Sequence, residues 1–215
     1  MSPKKSISDQ FEEARLLFSV AQSDEEAATL LAGVNYSPEA LAEGQALYDA
    51  TVDTRTAVMA AHGNQLTTTR RVNTLREQAD NNYKALARMA RAAFAGDIKT
   101  LETLGLRTRG RLSRSQAAFL DRSRLLYNAA LGNPVILEGL SQVGYSQERL
   151  EAEQAVIREL EAADVEQERY KAEYKVRVGE QRTALEALKN WVSRFKQIVR
   201  AAYPDRPGLL RKLGL

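Results

Sequence analysis

The chain aligns with itself. Val34-Asn35-Tyr36-Ser37-Pro38-Glu39-Ala40-Leu41 matches Val143-Gly144-Tyr145-Ser146-Gln147-Glu148-Arg149-Leu150, an offset of 109 residues read from Tyr36 to Tyr145. The same offset pairs Arg15-Leu16-Leu17-Phe18 with Arg124-Leu125-Leu126-Tyr127. It also pairs Arg91-Ala92-Ala93-Phe94 with Arg200-Ala201-Ala202-Tyr203, and Leu104-Gly105-Leu106 with Leu213-Gly214-Leu215. A helical composition can supply one such block by chance; four in a single ungapped register point to tandem duplication of a unit of roughly 100 residues. The expected domains are therefore 1–106 and 107–215. Two copies are too few for a solenoid, whose repeats bury their faces only against several neighbours, so each copy should form a small bundle or half of a shared one.

The fold class expected is all-α. No β-branched run alternates with polar residues, and no Asn-Gly or Asp-Gly separates such runs. Asp9 with Glu12 reads as a capping box opening a helix to about Ala21, with Phe11, Leu16, Leu17 and Val20 as its buried stripe. A short helix should follow from Ser23 or Asp24, its counterpart opening at Asn133 with Pro134 in the first turn. Ser37-Pro38 and Ser146 then start the third helix of each copy. Tyr36 and Tyr145 are placed to pack on Leu41 and Leu150 as hydrophobic staples, a structural role rather than a ligand-binding one.

That third helix is expected to turn back at His62-Gly63-Asn64, making each copy an up-and-down antiparallel bundle with a long helical hairpin. The returning helix carries Val72, Leu75, Ala79, Tyr83, Leu86, Met89 or Ala90, and Ala93 at alternating three- and four-residue steps. Ala184, Leu188, Val192, Phe195, Ile198 or Val199, and Ala202 repeat most of this seam. The aligned tip Ala172-Glu173 contains no breaker. One unbroken helix from Ser146 to Tyr203 would be roughly 87 Å long, and a bend is the expected alternative. Short helices near Asp97–Leu104 and Arg206–Leu213 close the copies, ended by Gly105 and Gly214.

Several chemistries are excluded by residue type. Without cysteine there is no thiolate nucleophile, disulfide or Cys-ligated metal. One histidine, His62, cannot supply the paired Glu-x-x-His ligands of a di-iron bundle or bis-histidine haem ligation, and no Gly-x-Ser-x-Gly, phosphate loop or dinucleotide fingerprint occurs. The acids Glu159, Glu161, Asp164, Glu166 and Glu168 lack EF-hand spacing. Interleaved with Arg158, Arg169 and Lys171, they read as an ion-paired exposed face. No cofactor is expected. No apolar stretch reaches membrane-spanning length, so the expectation is a soluble, cytoplasmic protein with no membrane partner.

Charge is unevenly placed: residues 1–106 carry −3 and residues 107–215 carry +6. Residues 9–53 hold ten acids against Arg15 alone, whereas Lys189, Arg194, Lys196, Arg200, Arg206, Arg211 and Lys212 face only Asp205. The acidic helices of the first copy should therefore lie against basic helices elsewhere in the molecule or in a partner subunit. Arg107, Arg109, Arg111, Arg114, Arg122 and Arg124 form the other basic cluster, at the junction of the copies. It suits a polyanion or partner contact but has no interleaved aromatics for base stacking. The expected function is that of a non-enzymatic interaction or scaffold protein, with a protein partner or a second copy of itself. The alternative is nucleic-acid or polyanion binding through Arg107–Arg124 and the C-terminal basic helix.

Overall fold

A computed structural model describes residues 6–107 and 115–215. The described residues are helical and contain no strand: α1 (Ile7–Ser23), α2 (Glu25–Ala32), α3 (Pro38–Ala93), α4 (Ile98–Thr103), α5 (Gln116–Gly132), α6 (Pro134–Ser141), α7 (Gln147–Ala202) and α8 (Pro207–Lys212). Each of α5–α8 repeats the length and offset of its counterpart among α1–α4; α3 and α7, for example, are both 56 residues long. No described helix is both long and apolar enough to cross a membrane.

The helix starts follow local chemistry. Ser6, not Asp9, caps α1: its hydroxyl accepts from the Asp9 N–H at 3.1 Å, while its own N–H donates to the Asp9 carboxylate at 2.9 Å. Asp9 thus serves as the third helical residue of the box, and Glu12 pairs with Arg15 instead. Asp24 caps α2, Asn133 with Pro134 opens α6, and Ser146 accepts from the Arg149 N–H. Gly105 and Gly214 take φ of 68° and 71°, the left-handed conformation that a helix end of this type needs and that glycine adopts without strain. The buried stripe of α1 is Phe11, Ala14, Leu17, Phe18 and Ala21, with Leu16 exposed.

The hairpin is not formed. Both α3 and α7 run unbroken through His62-Gly63-Asn64 and Ala172-Glu173. A glycine inside a helix costs about 1 kcal/mol, too little to break a helix each of whose halves packs one face into a core. Past the glycine, the hydroxyls of Thr68 and Thr69 donate to the carbonyls of Asn64 and Gln65.

The contacts divide into two compact units that cut across the sequence copies: 1–62 with 173–215, and 63–172. The expected boundary at 106/107 falls inside the second compact unit. In the first unit α1, α2 and the first half of α3 enclose the second half of α7 with α8, around Leu17, Phe18, Leu31, Tyr36, Leu188, Phe195 and Val199. In the second, the back half of α3 packs with α4, α5, α6 and the front half of α7 around Leu86, Phe119, Leu126, Tyr127, Leu140, Leu150 and Leu160. The seams read from sequence are largely buried. Ala90 rather than Met89 faces inward, Val199 is more deeply buried than Ile198, and Ala202 is exposed.

Candidate functional site

Of the six arginines singled out at the copy junction, Arg109, Arg111 and Arg114 lie outside the described residues. Arg107 is exposed and ion-paired with Glu102. Arg124, on α5, donates through Nε to Glu161 of α7 at 2.7 Å and through Nη1 to Asp121 at 3.3 Å, and the Glu161 hydrogen bond raises its pKa. Arg122 is half-buried on the same helix. Glu166 likewise pairs with Arg71 of α3. Of the five acids singled out on α7, Glu168 pairs with Lys171 on its own helix as expected, whereas Glu161 and Glu166 reach neighbouring helices.

The charge complementarity between copies is realised inside the first compact unit. Lys196 pairs with Glu13, Arg206 with Glu26 at 3.1 Å, and Lys212 with Asp24 at 2.6 Å. Three of the C-terminal cations are thus taken up by acids of α1, α2 and the α2 cap. Such pairs contribute little stability individually and mainly fix which helices meet. The Lys212 hydrogen bond is the main cause holding the Asp24 carboxyl below its ordinary value, aided by the Ala27 N–H that it caps. The sign follows: a lowered carboxylate pKa contributes stability at neutral pH that is lost as pH falls through the lowered value. Lys212→Ala is expected to move the Asp24 midpoint upward, read from its side-chain carboxyl carbon by NMR titration; an unmoved midpoint would mean the pair is not populated in solution.

A buried polar cluster lies in the second unit. The Tyr127 hydroxyl, fully enclosed, donates to Glu153 Oε2 at 2.9 Å, and Arg149 Nε donates to Oε1 at 3.1 Å. The Arg149 guanidinium stands 3.9 Å from the centre of the Tyr145 ring. Glu153 is 9% exposed, so its charge is held by a guanidinium and a phenol in place of water. Burial, then the Glu153 charge, pushes the Tyr127 phenol far above its ordinary pKa, so it stays a proton donor and cannot serve as a base. Burial likewise raises Tyr145. The arrangement ties α5 to α7.

This cluster is absent from the sequence reading. Its signal was a single acid interrupting an apolar stripe at steps of three and four: Leu150, Glu153, Ile157, Leu160. The positions aligned with Tyr127, Arg149 and Glu153 are Phe18, Ala40 and Gly44. There the polar cluster gives way to aromatics, with Trp191 stacked on Phe195 at 5.5 Å and tilted against Phe18 at 5.3 Å. A second feature missed from sequence is a row of cations on α3 in the second unit, where Lys84, Arg88 and Arg91 line an open groove with Tyr83 and Lys84 is ion-paired with Asp80. His62 is exposed in mid-helix, its ring 5.3 Å from that of Tyr174.

Comparison of the chain with protein-family models, with curated proteins and with solved structures finds no match to any of them.

Proposed function

We propose that the chain is a non-enzymatic helical scaffold, a tandem duplication of one helical unit, that holds a partner protein against an exposed face of α3. The observation that carries this reading is the apolar face of α3 in the first compact unit. Val52 and Met59 are 38% and 68% exposed and stand seven residues apart, with Thr56 between them on the same face. Exposed apolar side chains at helical spacing are what another helix packs against, and an unbranched methionine adapts to varied partner surfaces.

The polyanion alternative has less support, because Arg107 and Arg124 and three C-terminal cations already have carboxylate partners. It predicts an affinity for an oligonucleotide that falls steeply with salt.

The test is a photo-crosslinking side chain placed at Met59, compared with one at exposed Asn190, together with sedimentation velocity over a range of concentrations. A protein adduct specific to position 59 and lost on Val52→Glu supports the scaffold. Concentration-dependent sedimentation abolished by Met59→Glu makes the partner a second copy. Absence of both, with salt-sensitive oligonucleotide binding in their place, overturns the reading in favour of the alternative.

A further inference from the structure

We infer that the groove between α1 and the second half of α7, in the first compact unit, is a binding site for a small aromatic molecule carrying one anionic group. The groove is open to solvent on one side and has a volume of about 520 Å³, within the range of small-molecule sites. Leu185, Leu188 and Val192 form its apolar floor, Gln10 and Ser193 are polar, and Glu13, Lys189 and Lys196 line its sides.

What would fill this space is written in the other compact unit. There the aligned positions hold Phe119 in place of Gln10, Arg76 in place of Leu185 and Tyr83 in place of Val192. The Phe119 ring is 1% exposed, with the Arg76 guanidinium 3.6 Å from its centre and the Tyr83 ring edge-on at 6.0 Å. The Arg76 guanidinium also donates to Gln116 at 3.0 Å. The fold therefore accommodates a buried ring at this junction of helices, and in the first unit the side chains that would supply it are smaller or polar.

The charge chemistry selects the head group. Lys196 is engaged by Glu13, so those two neutralise one another at the groove wall. Lys189 stands exposed on the wall beside them, where the aligned position in the other unit is Asp80. The lining is left with one net positive charge. A planar ring seated on the half-buried Leu185 and Val192, with a carboxylate or sulfonate reaching Lys189, satisfies both parts of the lining. A polyanion would meet Glu13 as well.

The experiment titrates the full-length protein with anilinonaphthalene sulfonate and, separately, with neutral N-phenylnaphthylamine, following ligand fluorescence and stoichiometry. Saturable binding of one sulfonate per chain is expected, accompanied by a rise in the melting temperature. Gln10→Phe, which puts the other unit's ring into the groove, is expected to weaken both probes roughly tenfold or more. Val192→Tyr fills the same space from the α7 side and should do likewise, and far-UV circular dichroism verifies that each variant is folded. Lys189→Glu is expected to weaken the sulfonate while leaving the neutral amine unchanged. No saturable binding to the wild-type chain, or binding that persists unchanged in the folded filled-groove variants, overturns the site; equal binding of the sulfonate by Lys189→Glu overturns the anionic head group.

Discussion

Expressed separately, residues 1–106 and 107–215 are expected to lack a cooperative unfolding transition, and mixing them is expected to restore it as a one-to-one complex. Each compact unit draws on both fragments. The first needs α1, α2 and the front of α3 from one and the back of α7 with α8 from the other. The contacts that close it join the two: Phe18 and Tyr36 to Trp191, Tyr36 to Phe195, and the Tyr203 hydroxyl to the Leu30 carbonyl. A helix half with its apolar face unpartnered has little stability of its own in water.

Self-pairing of either fragment is disfavoured by the same residues. Two copies of 1–106 would bring Asn82, the residue aligned with Trp191, to Gly44 and leave unfilled the space the indole occupies. Two copies of 107–215 would bring Trp191 against Glu153, a side chain at the position where the indole tolerates only Gly44. Losing a packed Trp costs on the order of 3–5 kcal/mol, a large part of the 5–15 kcal/mol that holds typical domains together. Circular dichroism and sedimentation of each fragment, then of the equimolar mixture, decide the matter. A monomeric, cooperatively folded 1–106 would show that the copies and not the crossed units are the folding units.

The second large effect is expected at Gly44. A Cβ built there stands 2.5 to 2.7 Å from three atoms of the Trp191 indole, closer than carbon atoms pack, so the ring must be displaced. Helix propensity alone favours alanine over glycine by about 1 kcal/mol. Overpacking a filled core costs about 1–3 kcal/mol and outweighs it. Gly44→Ala is therefore expected to lower the urea midpoint, with a shift in Trp191 fluorescence. Trp191→Ala alone should cost about 3 kcal/mol, toward the lower end for a large aromatic because the indole is only partly buried. In the double variant the two losses should be clearly less than additive, since each residue is the other's neighbour. A stabilising Gly44→Ala would mean the indole lies elsewhere.

Much of the fold is readable without coordinates because helix boundaries are local. Asp24, Asn133 with Pro134, Ser37 with Pro38, Gly105 and Gly214 each satisfy or release a helix end within a few residues, and each does so where its type and spacing indicate. The acid–base pairing of first-copy helices with the C-terminal segment is readable too, since ten acids facing one base need cations nearby. The internal sites are a different matter. Glu153 looks like any surface acid until its neighbours on the helix are counted, and Gln10 reads as an ordinary polar residue until Phe119 is seen buried in the aligned place.

By itself, then, the sequence determined an all-helical chain, the offset of its repeat, the caps that start and stop most of its helices, and the seams that face inward. Tertiary structure alone decided which seam meets which. Gly63 costs a continuous helix only about 1 kcal/mol and Ala172-Glu173 contains no breaker, so the neighbouring residues permit an unbroken helix without specifying which seam it meets. The choice fell to burial: Trp191 of α7 fits over Gly44 of α3 in the first unit, and in the second the largely buried Gln167 of α7 donates to Thr69 of α3. Those contacts exist only when each half of α3 packs with a half of α7 rather than folding back on its own other half.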